Sequence, residues 1–145
     1  MEKIVRLGLV GCGKRGVAIG RLFRDHPDCR VTALMDIYPA IAERAAGALE
    51  LSEARLFADF DEMLGAGEVD ALLLTCDPTV QVELACRAME KGVHACTEVP
   101  AAFTVDDCWK LVRAVEKTGC KYQLMEQTRY WGFVEEWTKM REQGE

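Results

Sequence analysis

Three glycines, Gly11, Gly13 and Gly16, stand in the spacing Gly-x-Gly-x-x-Gly within GLVGCGKRGVAIG, residues 8–20; Cys12, Lys14 and Arg15 fill the gaps. Such a spacing suits an anionic phosphate held against bare backbone. The first glycine permits a tight turn. The second puts no side chain between backbone and a diphosphate, and the third lets a helix lie close to the preceding strand. A carboxylate, Asp36, follows twenty residues after Gly16. At that separation it suits acceptance of hydrogen bonds from ribose hydroxyls.

This chemistry needs a strand ending at Gly11, a helix opening after Gly13 and a second strand ending at Asp36. KIVRLGLV (3–10) is an apolar strand run. KRGVAIGRLFRDH (14–26) has helical period, with Val17, Ile19, Gly20, Leu22 and Phe23 as its inner stripe. CRVTALMD (29–36) reads as a second strand that delivers Asp36 to its end. In that context the glycines form a dinucleotide-binding unit, with first-turn N–H groups facing the phosphates. Asp36 would oppose a 2′-phosphate with like charge, so NAD is expected over NADP. Lys14 and Arg15 are placed to assist a phosphate. Cys12 and Ile37, which flank these groups, join the expected cofactor-binding set.

The alternation continues along the chain. YPAIAERAAGALE (38–50), FDEMLGAG (60–67), PTVQVELACRAMEKG (78–92), TVDDCWKLVRAVEKTG (104–119) and WGFVEEWTKMREQGE (131–145) read as helices. Between them ARLFAD (54–59), VDALLLTC (69–76), VHACTEV (93–99) and CKYQLME (120–126) read as strands. Six strands alternating with helices predict an α/β domain: a doubly wound parallel sheet of the Rossmann type, covered on both faces and spanning 1–145.

Composition narrows the classes. A chain of 145 residues suits one domain. A net charge of −6 argues against partners made of nucleic acid or anionic membrane. With neither a signal-like N-terminus nor an apolar run of spanning length, a cytoplasmic protein is expected. Seven cysteines without a Cys-x-x-Cys pair read as reduced, mostly buried thiols, Cys108 among them. The two histidines, His26 and His94, lie too far apart in sequence to suggest a zinc site, and no metal is expected. Trp109 and Trp131 are expected to pack on helix faces.

GLVGCGKRG, Asp36, TCDPTVQVELACRAMEKGVHACTEVP (75–100) and the helix after it resemble the N-terminal domain of the Gfo/Idh/MocA oxidoreductases. The resemblance covers essentially the whole chain. It implies an NAD-dependent oxidoreductase acting on a sugar, a cyclitol or a derivative. It also implies that the loop after the fourth strand lines the nicotinamide end. There Cys76, Asp77 and Pro78 replace the family's Thr-Pro-Asn, and Gln81 replaces its histidine. The family's Glu-Lys-Pro becomes Glu98-Val99-Pro100. Glu98 is placed for the nicotinamide ribose, but Val99 cannot donate a proton or carry charge as the lysine does. Gln127, Arg129 and Tyr130, in MEQTRYW (125–131), fall where the family carries polar residues facing the active site.

One branch of the family, the NAD-dependent α-N-acetylgalactosaminidases, also lacks that lysine. CWKLV (108–112) and EKTG (116–119) are similar to its sequences. In that branch a sugar hydroxyl is oxidised transiently, the glycosidic bond is eliminated, water adds and the hydride returns. Family members continue into a C-terminal substrate domain that supplies the base. The chain is therefore expected to be truncated or a stand-alone cofactor domain, with little turnover alone and no assigned catalytic residue. A regulatory nucleotide-binding module without catalysis is the alternative. Apolar surface on the last helix and sixth strand is expected to favour a weak homodimer.

Overall fold

The computed structural model describes residues 4–144. Its strands are β1 (Val5–Val10), β2 (Cys29–Met35), β3 (Arg55–Phe57), β4 (Ala71–Leu74), β5 (His94–Thr97) and β6 (Tyr122–Leu124). They form one parallel sheet in the order β3-β2-β1-β4-β5-β6. The helices are α1 (Lys14–Arg24), α2 (Pro39–Ala48), α3 (Phe60–Gly65), α4 (Pro78–Glu90), α5 (Val105–Thr118) and α6 (Gly132–Gln143). A 3-10 turn at Gln127–Tyr130 leads into α6. The fold is the doubly wound α/β arrangement that the alternation predicts.

The central strands are buried on both sides, which is why they read as unbroken apolar runs. Leu9, Leu72, Leu73 and Leu74 are wholly buried. Alternate residues feed two separate cores. Leu7, Leu9 and Leu73 pack with Ile19, Ala42 and Leu49 of the α1–α2 side. Val10, Leu72 and Leu74 pack with Met63, Val82, Met89 and Leu111 of the α3–α4–α5 side. Side chains fix several helix starts. Asp59, Asp77 and Thr104 accept from the backbone N–H groups of Glu62, Thr79 and Asp107 at the starts of α3, α4 and α5.

Helices lie on both faces of the sheet, as expected, though the cover is uneven. Right-handed crossovers put α4 and α5 on the face opposite α1. On the α1 side, α1 packs over β1 and β4, where Leu73 meets Ile19, whereas Cys96 of β5 and Met125 beyond β6 are only partly buried. An apolar groove of about 550 Å³ lies there, bordered by Leu7, Ile19, Phe23, Cys96 and Met125. Leu22, expected in the inner stripe of α1, stands at this rim and is 71% exposed. Trp109 and Trp131 are also exposed rather than packed into a core, and so is Cys108. No residue of α6 is buried, and its Phe133 and Trp137 rings meet edge to face at 5.0 Å. All seven cysteines are free, with Cys12 and Cys120 buried. Among the described residues no helix is long and apolar enough to cross a membrane.

Candidate cofactor-binding site

The carboxyl ends of β1 and β4 lie side by side, and the chain leaves them in opposite directions. In a doubly wound sheet that switch point opens a crevice. The glycine loop stands in it. Gly11 has φ +86°, and a Cβ there would come within 2.5 Å of the Cys76 nitrogen. The loops after β1 and β4 therefore touch backbone to backbone. A Cβ on Gly16 would lie 2.2 Å from the Gly11 carbonyl oxygen and 2.7 Å from the Thr75 hydroxyl. Gly13 is different: a Cβ there would meet nothing within 4 Å. It is the N-cap of α1, with no side-chain cap bond and no acidic residue in the first turn. The first-turn N–H groups of Lys14, Arg15 and Gly16 lack helical partners, so this end suits an anion.

Asp36 sits where the sequence places it, at the end of β2, and is 9% exposed. Its Oδ2 accepts the Cys12 N–H at 2.9 Å and its Oδ1 accepts the Tyr38 N–H at 3.0 Å. Each oxygen keeps further acceptor capacity for a hydroxyl. Thr75, at the end of β4, donates its hydroxyl to the Gly11 carbonyl at 2.6 Å. Sequence reading passed over Thr75; its one signal was a hydroxyl residue just after a buried apolar strand.

A hollow of about 470 Å³ joins these groups. Ile37 and Tyr38 flank it from the β2 side, and Val80 and Leu84 from α4. Tyr38, Val80 and Leu84 were not singled out from sequence. Ile37, Tyr38 and Val80 are large apolar side chains left exposed, a surface on which a flat aromatic base can stack. Lys14 lies on the other side of Gly13, in a second hollow with Arg21 and Arg44. Burial, with the Asp36 charge second, pushes the Cys12 thiol up to about 12. Burial likewise pushes the Cys76 thiol up to about 11. Both are held as neutral thiols and are poor nucleophiles.

The remaining candidates divide. Asp77 accepts from the Thr79 N–H at 2.9 Å and from its hydroxyl at 2.7 Å, which holds the Asp77 carboxyl below its usual range. Gln81 is buried behind the loop rather than on its surface: its Nε2 donates to the Cys76 carbonyl at 3.1 Å, and its Oε1 has no partner. Glu98, at the end of β5, is 8% exposed. Arg15 turns onto it, with Nε at 2.8 Å and Nη2 at 2.7 Å from Glu98 Oε1. The Val99 N–H donates to Glu98 Oε2 at 3.2 Å. This ion pair reaches from the start of α1 past the end of β4 to β5. Val99 is half-exposed and adds no polar side-chain atom.

Gln127 lies in the 3-10 turn beyond β6 and, with Arg129 and Tyr130, borders a separate hollow of about 330 Å³. The structure does not bring Gln127 into the hollow at Asp36. His26 and His94 both border the apolar groove instead of the crevice. The Nδ1 of His94 accepts the Lys121 N–H at 3.1 Å.

Comparison with known proteins gives concordant results. A family model described as an oxidoreductase family with an NAD-binding Rossmann fold matches residues 5–126. Glycosyl hydrolase family 109 protein 2 of Phocaeicola vulgatus is 31% identical over 97% of this chain and 36% of its own length. The chain thus spans about a third of the curated relatives it matches. Among solved structures, the WlbA dehydrogenase of Bordetella pertussis, in complex with NADH and UDP-GlcNAcA, superposes with TM-score 0.89 at 27% identity. That match covers 99% of this chain and 41% of the enzyme. The scyllo-inositol dehydrogenase of Lactobacillus casei, with bound NAD(H) and scyllo-inositol, shares the fold with TM-score 0.87 at 20% identity. It covers 98% of this chain and 42% of that one.

Proposed function

The chain belongs to the Gfo/Idh/MocA oxidoreductase family as an NAD-binding Rossmann domain, and from that premise we propose that it is the cofactor-holding part of an enzyme acting on a sugar, a cyclitol or a derivative. The observation that carries this reading is the glycine loop. Two of its glycines admit backbone where no Cβ would fit, and the third leaves its space empty beside an uncapped helix N-terminus. The residues present fit a dinucleotide. The N–H groups of Lys14, Arg15 and Gly16 would hold the diphosphate, with Gly13 giving it access to the backbone. Asp36 would accept from the adenosine ribose hydroxyls, which favours NAD over NADP. Ile37, Tyr38 and Val80 would sandwich adenine. Cys76, Asp77 and Glu98 would serve the nicotinamide half, as the family resemblance implies. NAD, when bound, would supply a hydride acceptor, and the chain's own residues would hold and orient it.

Val99 carries no titratable group, and neither histidine borders the site. This supports placing the base outside residues 1–145, with slight turnover by this domain alone. The Val99 position also favours a second reading, in which the whole protein is an NAD-dependent glycosidase like the branch it resembles. There the sugar would be oxidised and reduced in one turnover, with no net consumption of NAD. A cytoplasmic location fits free thiols. The open groove and the bare aromatic face of α6 support weak association of two copies.

Calorimetric titration with NADH and NADPH tests the cofactor reading. NADH is expected to bind at least tenfold more tightly, since a 2′-phosphate beside Asp36 meets like charge and loses ribose hydrogen bonds. Equal or tighter NADPH binding overturns the preference. No binding of either overturns the assignment.

A further inference from the structure

We infer that Thr75 is a positioning residue for the diphosphate loop, clamping with Asp36 a single peptide unit, the one between Gly11 and Cys12. The inference rests on the cofactor reading above. The carbonyl of that peptide accepts the Thr75 hydroxyl at 2.6 Å, from the β4 side. Its N–H donates to Asp36 Oδ2 at 2.9 Å, from the β2 side. Turning this peptide about its long axis breaks both bonds at once. The loop is also anchored by backbone: Gly11 N–H donates to the Met35 carbonyl at 2.9 Å, and Thr75 N–H to the Val10 carbonyl at 2.8 Å.

A clamp matters here because of what the loop is made of. Gly11 already sits at φ +86°, and glycine has many other conformations open to it. Without side-chain ties the loop samples them, and the cofactor has to order it on binding. Thr75 is β-branched, so its χ1 is stiff and its hydroxyl is held toward the acceptor. The same oxygen lies 2.7 Å from where a Gly16 Cβ would stand, so the hydroxyl fills the space the third glycine leaves. Removing it orphans a carbonyl between two packed loops. The geometry also gives Asp36 two tasks, holding the loop and facing the ribose, through different lone pairs of one carboxylate.

The test uses Thr75→Val, which keeps the shape and removes the donor, against Thr75→Ser, which keeps the donor. Two readouts are taken: NADH affinity by fluorescence titration, and amide hydrogen exchange across residues 11–16 without ligand. Thr75→Val is expected to weaken NADH about tenfold, the loss of one hydrogen bond in a site that must be ordered. It should also speed exchange in the loop. Thr75→Ser should stay within about twofold of the parent on both readouts, because its donor remains. Should Thr75→Val fail to fold, Thr75→Cys, a weak donor, takes its place and should fall between the two. Parent-like affinity and exchange in Thr75→Val overturn the inference. So does a Thr75→Ser variant as impaired as Thr75→Val, since packing of the methyl would then be the cause. Absence of NADH binding by the parent chain would instead sink the cofactor reading, and the exchange comparison would still judge the clamp.

Discussion

Replacing Gly13 by alanine separates binding from folding. The residue has φ −68° and ψ −174°, a conformation any L-residue adopts. The added Cβ would meet nothing within 4 Å, so no packing is disturbed. Alanine is a poorer N-cap than glycine, at a cost of about 0.5–1 kcal/mol. Glycine's greater freedom when unfolded offsets about 0.4–1 kcal/mol of that. The net change in stability is about zero, and the thermal midpoint should move by no more than about 2 °C. Affinity responds differently. The new methyl occupies the approach to the N–H groups of Lys14 and Arg15, and a diphosphate pushed outward loses at least one charge-assisted hydrogen bond. That loss is about 2–3 kcal/mol, roughly thirty- to a hundred-and-fifty-fold in Kd. Urea unfolding and NADH fluorescence on the same preparation check both halves. Gly16→Ala is the comparison in which folding itself is disturbed. Its Cβ would stand 2.2 Å from a backbone oxygen, so it should lose about 2 kcal/mol of stability or more. A Gly13→Ala variant that binds NADH like the parent would refute the placement of the diphosphate.

Asp36→Asn should weaken NADH about tenfold or more, because the amide cannot accept both the Cys12 and Tyr38 N–H groups, and should narrow the preference over NADPH, whose 2′-phosphate no longer meets a like charge. Parallel titrations that show NADPH strengthening alone would contradict its role in the loop. Arg15→Met, Glu98→Gln and the double variant form a cycle on unfolding free energy. Glu98 is buried and Arg15 half-exposed, so a coupling of about 1 kcal/mol is expected after allowing for solvent screening, and strict additivity would show the pair to be idle. Alkaline pH should destabilise the fold. Cys12 stays protonated when folded, up to about 12, but ionises near 9 when unfolded, so the unfolded state binds fewer protons above that value. Stability then falls with rising pH by at most about 1.4 kcal/mol per unit from this thiol. Urea unfolding at stepped pH should show Cys12→Ala with a shallower decline than the parent from pH 9 upward.

What the sequence disclosed was local. The glycine spacing, the apolar runs of β1 and β4, and Asp36 twenty residues past Gly16 are patterns of neighbouring residues, and all fall where expected. The partners of those residues are not local. Arg15 meets Glu98 across 83 positions, and Thr75 meets Gly11 across 64. Strand order decides both contacts. Tyr38, Val80 and Leu84 share one hollow because β2 and β4 flank β1. Leu22 reads as an inner residue of α1 because apolarity at helical spacing does not say whether another layer lies opposite. Gln81 is expected among the cofactor-binding residues because its position matches a family histidine, but the turn of α4 that carries it faces inward.

The apolar groove beside α1 would make the folding free energy of this unit depend on any partner that covers it. Whatever settles over Phe23, Cys96 and Met125 binds only the folded form. By mass action it then raises apparent stability with the logarithm of its concentration. Melting temperatures measured over a series of dilutions would then report whether that surface is claimed, and how strongly.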